Sequence, residues 1–283
     1  MISQQQQQAM TEAVARIRDT MAQAACAAGR DPAAVQLCAA CKTRTVEEVR
    51  FSAGLAIDLF GENHVQELVE KADAGAYEGK PGHFIGHLQT NKVNKVVGRA
   101  ALIQSVDSQR LLEKIDAAAA RLGLVQDILL EINIGEESSK SGVTQDSLWP
   151  LLDEAAAREH LRLRGLMAIP PADADESQTR RFFARMRELL EKAAALGLPN
   201  AQMDILSMGM SGDYAAAIAE GATIVRIGTA IYGARDYSKK EAVPLRNRQK
   251  SAMICLIANE YADVFQKCAN QFGLHIFSRR QMR

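Results

Sequence analysis

Three groups of residues in this chain have types and spacings that could do chemistry. Lys42 closes the apolar run VQLCAACK. A lysine ending a buried strand is costly to desolvate unless it is paired or deprotonated. Burial lowers a lysine's pKa and makes its amine a nucleophile, the form that joins carbonyl compounds as a Schiff base. A lysine that simply carries its charge past the strand end into solvent would read the same. The other two groups are glycine-rich: SMGMSGD, Ser207 to Asp213, and RIGTAIYG, Arg226 to Gly233. Glycine lets backbone N–H groups approach an anion, and a helix N-terminus adds partial positive charge. Ser and Thr accompany the glycines in both stretches, which favours a phosphate cradle over ordinary tight turns.

The elements that must position these groups follow a rhythm. A helix is expected over Met10–Ala28, with Gly29 as its cap and Pro32 as its stop. Eight short apolar runs follow: Val35–Lys42, Ile57–Gly61, His83–Leu88, Ala101–Asp107, Val125–Ile134, Leu161–Ile169, Met203–Gly209 and Ala222–Gly228. Helix-like segments separate them, at Thr45–Ala53, Val65–Ala74, Ser108–Leu122, Ser147–Arg158, Ser177–Leu196 and Gly212–Glu220. Near-continuous apolar strands alternating with helices imply a parallel sheet buried on both faces. Eight such strands close most simply into a single α/β domain, a (β/α)8 TIM-type barrel with an extra N-terminal helix. An open doubly wound sheet fits the same rhythm with fewer strands. Barrel chemistry gathers at the C-terminal strand ends, and phosphate is commonly held after strands 7 and 8. In a closed barrel those strands lie beside strand 1 and Lys42. A ligand with an aldehyde at one end and a phosphate at the other would bridge them. Pyridoxal 5'-phosphate has that shape; so does a phosphorylated sugar aldehyde, the substrate of a Schiff-base aldolase.

Composition narrows the setting. The 283 residues carry 34 basic and 34 acidic side chains, a balance that gives no support for nucleic-acid binding. No apolar stretch reaches the ~18 residues of a membrane span. The start, MISQQQQQAM, resembles neither a signal nor a transit peptide, so a cytoplasmic location is expected. The five cysteines include a lone C-x-x-C, Cys38 and Cys41, inside an apolar strand run, where buried structural thiols are expected rather than redox or metal chemistry. Residues 1–240 are expected to form the barrel. Residues 241–283, with seven basic side chains against three acidic, are expected to form a basic extension, helical or partly disordered.

In these stretches the chain resembles the pyridoxal phosphate homeostasis proteins, the YggS/PROSC or alanine racemase N-terminal-domain-like family. The matching blocks are CKTRTVEEV, FGENHVQE, HFIGHLQTNKV, INIGEESSKSG, LRGLMAIPP, LSMGMSGDYAAAIAEGATIVRIGTAIYG and ARDYSKK, in family order from about residue 10 to Lys240. The resemblance implies pyridoxal 5'-phosphate held as an internal aldimine on Lys42, with Asn63 close by. It implies a phosphate held by Ser207, Gly209, Ser211, Gly228 and Thr229, and Arg226 facing the pyridine nitrogen. A guanidinium keeps its proton, so that nitrogen stays unprotonated and the ring is a poor electron sink. The related racemases add a second β domain after the barrel, and the roughly 43 residues after Lys240 do not read as a row of strands. The expected role is therefore that of a cofactor carrier or regulator affecting amino-acid and keto-acid balance, without catalytic residues, metal or turnover. The alternative is a pyridoxal-phosphate-dependent amino-acid racemase. Pyridoxal-phosphate-dependent apo-enzymes are the partners implied, and a monomer is expected. The chain departs from the family in the two cysteines of LCAAC and in His64, where tyrosine is common. His87 is expected to serve packing or the phosphate side rather than as a base.

Overall fold

In a computed structural model, residues 2–137 and 140–234 are described. The expected extension at 241–283 lies outside them. All eight apolar runs form strands: β1 (Gln36–Ala40), β2 (Leu59–Glu62), β3 (Gly82–Phe84), β4 (Leu102–Val106), β5 (Gln126–Ile132), β6 (Leu161–Ala168), β7 (Ala201–Ser207) and β8 (Ile224–Ile227). They pair in parallel in sequence order, and β8 pairs with β1, Arg226 opposite Cys38, to close the barrel.

The N-terminal helix α1 (Gln4–Ala27) starts six residues earlier than the apolar pattern predicts. Ser3 and Gln6 form a reciprocal capping box, which starts the helix within the glutamine run. Its buried face, Met10, Val14, Ile17 and Met21, keeps the helical spacing. The remaining helices are α2 (Val46–Ala53), α3 (Val65–Asp73), α4 (Val93–Val96), α5 (Gln109–Leu122), α6 (Gln145–Ala156), α7 (Glu176–Ala195), α8 (Tyr214–Ala219) and α9 (Thr229–Tyr232). Of these, α4 and α9 were absent from the sequence expectations, because one turn of helix is too short to show periodicity.

Strand alternation sorts each run into two cores. Cys38, Leu59, Leu102, Leu129, Met167 and Ile224 fill the barrel interior, while residues such as Leu37, Phe60, Ile103 and Val225 pack outward against the helices. The same parity puts Cys38 and Cys41 in different cores, both fully buried, with burial pushing the Cys38 thiol up to about 12. The pair is structural. No helix among the described residues is long and apolar enough to cross a membrane.

Candidate functional site

Carried to the C-terminal strand ends, inward parity brings Ala40 and Lys42 from β1, Asn63 from β2, Ile85 from β3, Ile169 from β6, and Arg226 and Gly228 from β8 to one place. With Arg44, Met210, Ser211, Gly212 and Thr229 they line a cavity of about 380 Å³ at the barrel mouth. Six of the eight residues expected at the site, all but Ser207 and Gly209, therefore meet there.

Lys42 is half-buried; its carbonyl accepts from Thr43 Oγ1 at 2.6 Å, while its amine has no hydrogen-bond or ion-pair partner among the described residues. It sits on a tight turn in which the Arg44 amide donates to the Cys41 carbonyl at 3.0 Å. Thr43 completes that turn at φ +67°, a left-handed conformation that is strained for a β-branched residue. The Thr43 amide donates to Glu67 Oε2 at 2.8 Å. Behind the turn lies Lys71, 2% exposed, whose Nζ donates to the Cys41 carbonyl at 2.9 Å and to both Glu62 carboxylate oxygens at 2.9 and 3.0 Å. Glu62 is fully buried; burial pushes its carboxyl up to about 7, against the opposing pull of Lys71. The buried lysine of this site is thus Lys71, which sequence reasoning missed. The signal was present, since Lys71 falls three residues after Leu68 on the inward face of α3.

Arg226, 4% exposed, is fixed by a directed row of hydrogen bonds inside the barrel. Its NH1 donates to Ser207 Oγ at 2.6 Å and its NH2 to the Ala168 carbonyl at 3.0 Å. Ser207 Oγ donates to Gln104 Oε1 at 2.6 Å. Gln104 Nε2 lies 2.9 Å from His83 Nδ1, which accepts if this row is to be consistent. Burial lowers His83 to about 4, so the ring is neutral and suited to accept. Ser207, expected at the phosphate, is instead held between Arg226 and Gln104 and does not line the cavity.

Gly209 does not line it either. At φ +90°, with a Cβ position only 2.5 Å from Ala217 Cβ, it lets the loop turn tightly onto α8 while its carbonyl accepts from the Arg226 amide at 2.9 Å. Ser211 and Thr229 are in contact across the two loops, Thr229 Oγ1 to Ser211 Oγ at 3.2 Å. Arg44, missed in the sequence, stacks its guanidinium over the Tyr232 ring at 5.5 Å and donates to the Gly233 carbonyl at 2.8 Å. Tyr232 packs inward, its hydroxyl 2.8 Å from Ser52 Oγ and 3.4 Å from Cys41 Sγ. Asn133, at another strand end, braces its own loop through Glu137. The His87 side chain is 58% exposed and approaches Asp107, at 3.8 Å, on the side of the mouth away from the glycine-rich loops.

The arrangement can bind a phosphorylated carbonyl compound. It offers one amine, two held guanidinium groups (Arg44 and Arg226) and two hydroxyls among close-approaching backbone, all in a single cavity. Residues 13–236 match the family model described as alanine racemase, N-terminal domain. A pyridoxal phosphate homeostasis protein of Pseudomonas aeruginosa is 42% identical over 232 residues, covering 81% of this chain and 96% of that protein. The chain belongs to the pyridoxal phosphate homeostasis protein family. Among solved structures of similar proteins, PipY of Synechococcus elongatus with PLP bound is 31% identical, with a TM-score of 0.68 over 79% of this chain and all of that one. Alanine racemase from Corynebacterium glutamicum shares the fold at 18% identity, with a TM-score of 0.60 over 82% of this chain and 63% of the racemase.

Proposed function

We propose that this protein binds pyridoxal 5'-phosphate through a Schiff-base link to Lys42 and serves intracellular homeostasis of that cofactor. The observation that carries the reading is the single cavity shared by Lys42, Arg226, Ser211 and Thr229. Its polar groups match three of the ligand's polar features: an amine for the aldehyde, a guanidinium for the ring nitrogen, and hydroxyls with the backbone at Gly212 and Gly228 for the phosphate. The names of the relatives and the PLP-bound homologue support the same ligand. When bound, the cofactor supplies an electrophilic carbon conjugated to a pyridine ring. Lys42 holds that carbon, Asn63 lies beside it, and Ser211, Gly228 and Thr229 anchor the far end. Ser207 contributes by holding Arg226, and Gly209 by shaping the loop.

Arg226 supports the further reading that the protein is a carrier without turnover. A buried guanidinium opposite the ring nitrogen would leave that nitrogen unprotonated, which disfavours the carbanion chemistry of a racemase. The fold shared with alanine racemases is no argument for their activity. The reading includes delivery to pyridoxal-phosphate-dependent apo-enzymes, a cytoplasmic location, a monomeric chain, and a barrel over residues 1–240 followed by a separate extension.

The test is an absorbance spectrum of the purified full-length protein incubated with pyridoxal 5'-phosphate. The wild type is expected to show the visible band of a Schiff base and Lys42→Ala to lack it, while a panel of amino acids shows no racemisation. A colourless wild type would refute the binding role, and turnover near ~1 per second, within the ordinary enzyme range, would refute the carrier role.

A further inference from the structure

Beside the Lys42 cavity lies a second one of about 260 Å³, which shares Asn63, Ile85 and Ile169 with it and adds Glu131, His87, Lys140 and Ser141. Glu131 projects inward from β5, is 9% exposed, and its carboxylate has no hydrogen-bond or ion-pair partner among the described residues. Its oxygens open onto the cavity, where a ligand can reach them. The cations nearby are already committed. Lys140 Nζ is 2.5 Å from Glu137 and 3.0 Å from the Pro170 carbonyl, and Arg226 is held by Ser207 and Ala168. Asp107 adds a second negative charge close enough to act on Glu131, and its own partner, His87, is exposed and 3.8 Å away. Burial, and after it Asp107, raise the Glu131 carboxyl to about 7 against the opposing pull of Arg226, which acts from a distance and does not touch the carboxylate.

We propose that this second cavity is a binding site for a small primary ammonium group, with Glu131 as its anchor and Asn63 and Ser141 as flanking polar groups. An ammonium supplies three N–H donors and one positive charge, which is what the Glu131 carboxylate lacks. A hard divalent cation fits less well, because it demands several oxygens in close array, and the described residues contain no group of three or more acidic, His or Cys side chains able to hold a metal. The volume admits a short aliphatic amine or a small amino acid. The site stands on its own lining residues and does not require the cofactor reading, although an occupant would share a wall with whatever Lys42 holds.

The test uses the full-length chain stripped of carbonyl cofactor, so that no amine is consumed by reaction. Saturation-transfer NMR titrations with ethylammonium, L-alanine, propionate and magnesium ion would be run on wild type, Glu131→Gln and Glu131→Asp. Ethylammonium is expected to bind the wild type saturably. Loss of the charge-assisted bond in Glu131→Gln should weaken it about tenfold or more. Glu131→Asp, which keeps the charge, should retain part of the binding, and matching unfolding curves would exclude a folding defect. Tighter binding of L-alanine than of ethylammonium would identify amino acids as the natural source of the group; equal or weaker binding would identify simple amines. Failure of the wild type to bind ethylammonium, equal binding by wild type and Glu131→Gln, or displacement of ethylammonium by propionate or magnesium would each overturn the proposal.

Discussion

Arg226 spends two guanidinium contacts on the barrel itself, one on Ser207 and one on the Ala168 carbonyl, and so reaches the cavity with its orientation already set. The row that holds it ends at His83, whose bare Nδ1 accepts from Gln104. That direction requires a neutral imidazole, and a pH dependence follows. The folded protein holds His83 down to about 4, whereas the unfolded chain protonates it near the ordinary 6.5. Its contribution is therefore present above about pH 6.5 and lost as pH falls toward 4; a gap of that size corresponds to about 3 kcal/mol. Glu62 and Glu131, both raised to about 7, act in the opposite sense, since their native forms bind more protons than the unfolded chain between about pH 4.5 and 7. The His83 effect is best read as a difference. Denaturant unfolding of wild type and His83→Asn at pH 7 and pH 4 should show the wild type losing about 3 kcal/mol relative to the variant; parallel losses would contradict the neutral-His row. At the other end of the cavity, Ser211→Ala or Thr229→Ala should weaken cofactor binding by about 1.5–3 kcal/mol, the worth of one hydrogen bond to a charged group. Equilibrium titration of the absorbance band measures this, and unchanged affinity would place the phosphate elsewhere.

At the scale of elements, the turn after β1 is held by α3. Lys71 ties the Cys41 carbonyl to Glu62, and Glu67 takes the Thr43 amide, so the helix fixes the backbone on both sides of Lys42. Breaking a buried pair from one side leaves an uncompensated charge and costs about 3–5 kcal/mol. Lys71→Met should lower stability by that amount, and the double variant Glu62→Gln with Lys71→Met should recover most of it. Denaturant unfolding of the three proteins decides the matter; equal stability of the single and double variants would mean that the pair is not what holds the turn. These elements also mark the limit of what the sequence discloses. The eight runs stand out because parallel barrel strands are buried on both faces. Which residue of each run looks inward depends on register, so Glu131 read as one more residue of an apolar strand. The expected strand His83–Leu88 is pared to β3 at its start, and beyond it Gly86 lies against the Asn63 backbone, where a side chain would collide at 2.2 Å. Lys42 and the glycine-rich loops were legible because they stand at the ends of runs, whereas Asn63 and the role of Arg226 came from the family resemblance. The position of Ser207 next to the loop says nothing about which way its hydroxyl turns, which in the structure is toward Arg226 and Gln104.

For the whole molecule, closure is what makes the function possible. Pairing of β8 with β1 places residues 226–229 beside residue 42, nearly two hundred positions earlier in the chain. No local segment holds both ends of the ligand, so cofactor binding and barrel integrity should fail together. The loaded protein should consequently unfold at a higher temperature than the unloaded one, by a margin that grows with the logarithm of free ligand over its dissociation constant. The direct test of the central claim is borohydride reduction of the pyridoxal 5'-phosphate-loaded chain followed by peptide mass mapping. A single pyridoxyl phosphate group fixed on Lys42 is the result expected. Its attachment only to other lysines, or to none, would contradict the account.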